Sequence, residues 1–113
     1  MSSRFRANPT VDTQFNVHTI NSMKITYDPE KDARNVALRG LSFELARAFD
    51  FETAWVIEDD RYDYGEMRYR GVGLLNGRLH VLVFTETETG IRVISLRKAN
   101  TREVRLYEQA TQP

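Results

Sequence analysis

The chain has 113 residues, 41% of them hydrophobic, and its 16 basic and 16 acidic side chains cancel. This length suits one domain with a modest core and leaves no room for a separate cofactor domain. The chain has no cysteine and only two histidines, which argues against disulfides, thiolate catalysis and a metal centre, so we expect neither cofactor nor metal. No segment approaches the roughly 20 apolar residues needed to span a bilayer, and we expect a cytoplasmic protein.

The N-terminal segment differs from the rest of the chain. Residues 1–22 are polar and follow neither a helical nor a strand period, whereas a regular pattern begins at Met23. We therefore expect a flexible extension over 1–22, or an upstream start codon, and a single domain over 23–113.

Alternating apolar residues over 23–27 predict a first strand. Asp28 and Pro29 then suit the N-cap and first turn of a helix that ends at Gly40. Ser42 suits the N-cap of a second short helix, and a second strand follows over 53–58. The side chains expected to face the core are Ala33, Val36 and Ala37 in the first helix and Phe43, Ala46 and Phe49 in the second.

The strongest local signal is Asn76-Gly77, because both residues tolerate the positive φ of a two-residue hairpin turn. It predicts strands over 67–75 and 78–85 in one register. Leu74, Val72 and Arg70 then oppose Leu79, Val81 and Val83, while Gly73, Gly71 and Tyr69 oppose His80, Leu82 and Phe84 on the other face.

A last strand over 91–96 is followed by Asn100 and Glu103, a capping-box pair that predicts a helix over 101–109 with Val104 and Tyr107 inward. The predicted order of elements is β-α-α-β-β-β-β-α. The fold class is α+β.

Basic side chains gather where this last strand meets the last helix. Arg97, Lys98 and Arg102 lie near a helix N-terminus, where the helix dipole opposes cations unless an anion is bound. A phosphate would remove that conflict, because free N–H groups and a guanidinium both attract it. Alternatively, Arg97 and Lys98 point to water or pair with Glu103.

Other charged residues have equally open interpretations. Arg68 and Arg70 fall on the otherwise apolar hairpin face, so each must lie at the sheet margin, pair with the acidic loop or line a groove. His80 suits either packing or proton transfer, and Lys31 suits either a surface helix or a site.

Several blocks of residues follow one another at an ordered spacing along the chain. They begin with an aromatic-Asp pair followed by Lys, Asn and a Gly with Ser-Phe. The blocks are Tyr27-Asp28, Lys31, Asn35, Gly40, Ser42-Phe43, Gly65-Glu66, Arg68-Tyr69, the run 94–99, Arg102-Glu103 and Tyr107-Glu108. Together they resemble the BrnT family of toxins. The family's Lys-His-Gly is replaced by Leu38-Arg39-Gly40, and Arg39 does not transfer protons at neutral pH.

The resemblance implies a RelE-like fold, with two N-terminal helices packed on an antiparallel sheet and a C-terminal helix beside it. It also implies a ribonuclease toxin that blocks translation and is neutralised by a BrnA-type, DNA-binding antitoxin. The expected partners are therefore RNA and the antitoxin, in a homo-oligomer or a toxin–antitoxin hetero-oligomer.

Cleavage without a metal would use the 2′-hydroxyl of the RNA as nucleophile. We expect phosphate binding from Arg68, Arg97, Lys98 and Arg102, and positioning or proton transfer from Lys31, Glu66, His80 and Tyr107, although Tyr107 equally suits the core. The rival hypothesis is a non-enzymatic module that binds protein or nucleic acid through the same basic face.

Overall fold

The computed structural model describes residues 23–61 and 63–112 and has a mixed α+β architecture. The expected extension over 1–22 lies outside the described residues. The elements are β1 (Lys24–Thr26), α1 (Pro29–Arg39), a 3₁₀ helix (Phe43–Ala48), β2 (Trp55–Glu58), β3 (Tyr69–Leu75), β4 (Arg78–Glu86), β5 (Gly90–Lys98) and α2 (Thr101–Thr111). Their order is the predicted one, except that the second helix is a 3₁₀ helix, which Ser42 caps as expected.

The five strands form one sheet in the order β1-β5-β4-β3-β2. Three neighbouring pairs are antiparallel, but β1 runs parallel to β5, so the expectation of a wholly antiparallel sheet was wrong at this edge. The physical reason is the long connection between β1 and β5, because only a long crossover brings two strands together in the same direction.

The hairpin of β3 and β4 has the predicted register in all six pairs, from Leu74 opposite Leu79 to Tyr69 opposite Phe84. Its turn residues have the positive φ angles that the turn requires, 51° at Asn76 and 84° at Gly77. Turn chemistry and strand alternation therefore determine this pairing locally.

One face of the sheet, here called the core face, carries Gly71, Gly73, Leu82, Phe84 and Leu96. It is covered by the 3₁₀ helix and by the segment that leads into β2. Aromatic rings fill this layer: Phe51 and Phe84 meet edge to face with centroids 5.7 Å apart, and Tyr69 stacks on Phe84 at 5.6 Å. The core face therefore holds most of the buried hydrophobic side chains.

The opposite face, here called the groove face, carries Arg70, Val72, Val81, Val83 and Arg97. A smaller apolar cluster forms where α2 covers Val72, Val81 and Val83. The predicted capping box between Asn100 and Glu103 is present and begins α2 at Thr101. Within the described residues, no helix is both long enough and apolar enough to cross a membrane.

Helix α1 departs from the expectation. Ala33, Val36 and Ala37 are exposed, and the buried side chain of α1 is Asn35, which is 6% exposed. The Asn35 amide donates hydrogen bonds of 2.9 Å to the carbonyl oxygens of Leu41 and Leu96. The prediction that α1 buries its apolar residues was wrong, because this helix lies against β5 and satisfies a polar backbone group there.

Candidate active-site groove

A groove of 210 Å³ lies between the N-terminal half of α2 and the strands β2 and β3. The pairing of β2 with β3 builds its floor, because Trp55 lies opposite Val72 and Ile57 lies opposite Arg70. Helix α2 supplies the other wall. The lining residues are Trp55, Ile57, Arg70, Val72, Asn100, Arg102, Glu103 and Leu106.

The guanidinium of Arg97 is engaged by Glu103. Two hydrogen bonds run from Arg97 to the two carboxylate oxygens, at 2.8 and 2.7 Å. Their charge-assisted geometry lowers the pKa of Glu103, against the opposing effect of burial, and raises the pKa of Arg97. Of the interpretations considered for Arg97, pairing with Glu103 is the one that the structure shows.

Arg70 differs from Arg97 in having no such partner. It is half-buried on the groove face, opposite Val83 and Ile57, and among the described residues no carboxylate forms an ion pair with it. Its charge still contributes to the lowered pKa values of Asp59 and Glu103. Arg70 is therefore a cation that lines the groove and remains open to an anionic ligand.

Arg70 and Trp55 line the groove but were not among the site residues expected from the sequence. For Arg70 a signal existed, because a cation at an apolar position of the hairpin face needs a carboxylate or a groove. For Trp55 no local signal existed, since its place beside Val72 depends on the pairing of β2 with β3 across a long loop.

An ion pair of Asp59 and Arg61 lies in the loop after β2. The Asp59 carboxylate is buried and accepts bonds of 2.8 and 3.0 Å from the Arg61 guanidinium. Burial alone would raise the pKa of Asp59, but the Arg61 bonds and charge outweigh it and hold that pKa below its usual value. The charge of Arg61 also acts on Arg97, so this pair belongs to the electrostatic surroundings of the groove.

A second charged cluster forms around Glu66, beside an open cleft of 490 Å³. The Glu66 carboxylate accepts hydrogen bonds from Arg68 at 3.0 Å and from Arg92 at 2.8 Å, and these bonds lower its pKa. The Arg68 guanidinium also lies 4.0 Å from the ring centroid of Tyr64. The structure thus brings two predicted site residues, Glu66 and Arg68, together outside the groove, and Arg68 pairs with the acidic loop.

The remaining candidates lie at separate places. His80 is 5% exposed on the core face, and its Nδ1 lies 2.8 Å from the carbonyl oxygen of Arg78. Lys98 is paired with His80 across the sheet, one residue after Arg97, so it points to the other side of the sheet from Arg97. Neither side chain reaches the groove.

Lys31 and Tyr107 also lie outside the groove lining. Lys31 lines a depression of 220 Å³ beside α1, together with Ser95 on β5. Tyr107 lies on the side of α2 that packs on the groove face, and its hydroxyl donates a 3.1 Å hydrogen bond to the carbonyl oxygen of Thr53. Of the eight predicted residues, only Arg102 lines the groove itself. Arg97 acts on the groove indirectly, because it is hydrogen-bonded to Glu103, which lines it.

Across the described part of the chain, no three His, Asp or Glu side chains are grouped so that they could hold a metal ion. The groove lining itself contains the guanidinium groups of Arg70 and Arg102. Such groups neutralise a phosphate without a metal.

A comparison with curated proteins finds no match. A family model described as the ribonuclease toxin BrnT of type II toxin–antitoxin systems matches residues 27–103. The match begins directly after β1 and ends in the first turn of α2, and it includes both strands that form the groove, β2 and β3. The chain therefore belongs to the BrnT family of ribonuclease toxins of type II toxin–antitoxin systems.

Proposed function

We propose that the chain is a cytoplasmic endoribonuclease that cleaves RNA in the groove beside α2 and thereby inhibits translation. The observation that carries this proposal is Arg70, a half-buried cation in the groove without a carboxylate partner among the described residues. A cation in that position suits a phosphate, because burial strengthens its attraction for an anion.

The reaction that fits these residues needs no cofactor or metal. The 2′-hydroxyl of one nucleotide gives its proton to water and forms a bond to the adjacent phosphorus. The bond from phosphorus to the 5′-oxygen of the next nucleotide breaks, and that oxygen takes a proton from water. The products are a 2′,3′-cyclic phosphate and a 5′-hydroxyl end. Charge builds up on the non-bridging oxygens during this step, and preorganised guanidinium groups lower its barrier.

The cations in and around the groove have different roles, according to whether a carboxylate already pairs with them. Arg70 and Arg102 contact the scissile phosphate, because both line the groove. Arg97 holds Glu103 in a fixed place at the start of α2, and Glu103 is thereby kept ionised. Arg68 lies on the same side of the sheet as Arg70, nearer the Glu66 cluster, and contributes to binding a flanking phosphate.

Proton transfer is assigned neither to His80 nor to Tyr107, and the protons of the reaction are exchanged with water. His80 lies on the core face and Tyr107 is hydrogen-bonded to a backbone carbonyl, so both serve packing in this proposal. Lys31 and Lys98 are exposed and add to the positive field that attracts RNA.

The test is an analysis of cleavage products. Purified protein should convert an RNA oligonucleotide into fragments that end in a 2′,3′-cyclic phosphate, and EDTA should leave the rate unchanged. A matched oligonucleotide with a single 2′-deoxy nucleotide at the cleavage site should resist. Inhibition by EDTA that added Mg²⁺ reverses would contradict the metal-free mechanism, and RNA binding without any cleavage would favour a non-enzymatic binding module.

We propose as partner a BrnA-type antitoxin encoded beside the toxin gene. Membership of a type II toxin–antitoxin family supports a protein partner, since toxins of that kind are neutralised by a protein. Expression of the chain alone should arrest bacterial growth, and co-expression of the neighbouring gene should restore it and yield one co-purified complex. Unchanged growth with folded, soluble toxin would contradict the proposal.

A further inference from the structure

The groove beside α2 has two chemically different halves. One half is apolar and is formed by Trp55, Ile57, Val72 and Leu106. The other half carries Arg70, Arg102, Asn100 and Glu103. Leu106 keeps 37% of its surface exposed at this place, although it is one of the largest apolar residues of α2. A partly exposed apolar wall, beside cations that pair with no carboxylate among the described residues, indicates a ligand with an apolar part and an anionic part.

The size of the groove limits the apolar part of that ligand. Its volume of 210 Å³ is below the roughly 300 Å³ at which pockets for larger organic ligands begin, so it suits a single ring system. The side chain of Trp55 offers an aromatic surface, and the guanidinium of Arg70 offers a planar cation. Both groups interact favourably with flat aromatic rings.

We infer that the apolar half of this groove holds one base of the RNA, next to the phosphate that Arg70 and Arg102 contact. This inference rests on the proposed function and identifies the recognised unit as a nucleotide rather than a phosphate alone. The base lies against Trp55 and Leu106, and its own phosphate reaches Arg70. Proteins bind unstacked RNA bases in this way, on aromatic and guanidinium planes beside a basic groove.

The sequence supplies a direct probe, because Trp55 is the only tryptophan of the chain. Its indole N–H gives one side-chain signal in a ¹⁵N-correlated NMR spectrum, and Trp55→Phe identifies that signal by its loss. The protein is titrated with the four nucleoside 5′-monophosphates and, separately, with ribose 5-phosphate, which has the sugar and phosphate but no base. At least one nucleotide should shift the indole signal and bind at least about fivefold more tightly than ribose 5-phosphate.

Two variants separate base binding from folding. Leu106→Ala removes part of the apolar wall at a partly exposed position and should weaken nucleotide binding about fivefold, while binding of ribose 5-phosphate stays the same. Val36→Ala is the matched control, because Val36 is a helical aliphatic residue that is 46% exposed and lies on α1. It should leave nucleotide affinity unchanged.

The outcomes distinguish this inference from the proposed function when RNA cleavage is measured on the same samples. Equal affinity for nucleotide and ribose 5-phosphate, or an indole signal that no nucleotide shifts, would overturn the base site. If cleavage persists in that case, the ribonuclease proposal stands without it. A nucleotide preference that Leu106→Ala removes supports the base site even if the preparation cleaves no RNA, and it is then the ribonuclease proposal that fails.

Discussion

The two faces of the central sheet come from the same strands and are built in opposite ways. On the core face, Phe84 is fully buried between Tyr69 and Phe51, and aromatic rings close the layer. On the groove face, β3 and β4 carry Arg70 beside Val83, and α2 covers only part of the surface. Stability is therefore concentrated on one face, and exposed charge on the other.

This difference between the two faces indicates which substitutions should affect folding and which should affect activity. A residue of the core face contacts other apolar groups on every side, so truncation leaves a cavity. Arg70 has no carboxylate partner among the described residues, so its removal leaves no unpaired carboxylate behind.

The largest loss of stability is expected from Phe84→Ala on the core face. The ring is 0% exposed and contacts two other aromatic rings, so truncation should lower the free energy of unfolding by about 3–5 kcal/mol. Urea denaturation followed by circular dichroism measures this change. A loss below about 1 kcal/mol would show that the core face is not the main source of stability.

Arg70→Ala should leave folding intact and remove activity. Loss of one preorganised charge donor typically lowers the rate by about 10²–10³, which corresponds to about 3–4 kcal/mol in the barrier. The unfolding free energy should change by less than about 1 kcal/mol. The measurement is the cleavage rate of one RNA substrate, with urea denaturation of the same preparations.

Two further variants control this experiment. Arg78→Ala removes an exposed arginine from the adjacent strand β4, and it should cleave at the wild-type rate. Arg70→Lys keeps the charge but not the planar fork, so it should recover only part of the activity. Cleavage by Arg70→Ala at more than about a third of the wild-type rate would remove Arg70 from the site.

Gly73 gives a smaller and more local test of the core face. A Cβ atom at this position would lie 2.8 Å from both the Ala54 Cβ and the Phe49 Cζ, so Gly73→Ala should destabilise the fold by about 1–3 kcal/mol. Gly71→Ala is the matched control, since its Cβ would lie at an ordinary 3.5 Å from the Val56 Cγ2. Equal thermal stability of the two variants would contradict the close packing at Gly73.

Much of the fold was predictable where local chemistry decides it. Asn76-Gly77 determined the hairpin register, and the capping box at Asn100 determined the start of α2. The face of α1 was not predictable from its apolar pattern, because Asn35 is buried to satisfy a carbonyl of β5. That requirement arises from a tertiary contact, which the periodicity of the sequence cannot predict.

The site was predictable only in part for a related reason. The charges near the start of α2 were recognised, and Arg97 has the partner that had been considered, Glu103. The sequence did not reveal that this pairing occupies Arg97 and leaves Arg70 as the open cation, because the two arginines lie on different strands. Charge placement follows from local sequence, whereas pairing follows from the assembled sheet.

The smallest effect is expected from the ion pair of Arg97 and Glu103, which joins the groove face to α2. Bonds from Arg97 hold the pKa of Glu103 below its ordinary value of 4.5. A carboxyl group whose pKa is lower in the folded state stabilises the protein above pH 4.5 and loses that contribution as pH falls through the folded pKa. Arg97 stays protonated throughout this range, so Glu103 alone titrates within the pair.

Glu103→Gln removes this titration and preserves an amide oxygen that can still close the capping box. At pH 7 the variant should be less stable by about 1 kcal/mol, a modest value because the pair is partly exposed. As pH falls below 4.5, the difference in unfolding free energy between wild type and variant should shrink toward zero. Urea denaturation of both proteins over this pH range measures it, with Glu108→Gln as an exposed control on α2. A difference that stays constant with pH would show that Arg97 does not stabilise the ionised form of Glu103. The proposal that Arg97 keeps Glu103 ionised at the start of α2 would then be wrong.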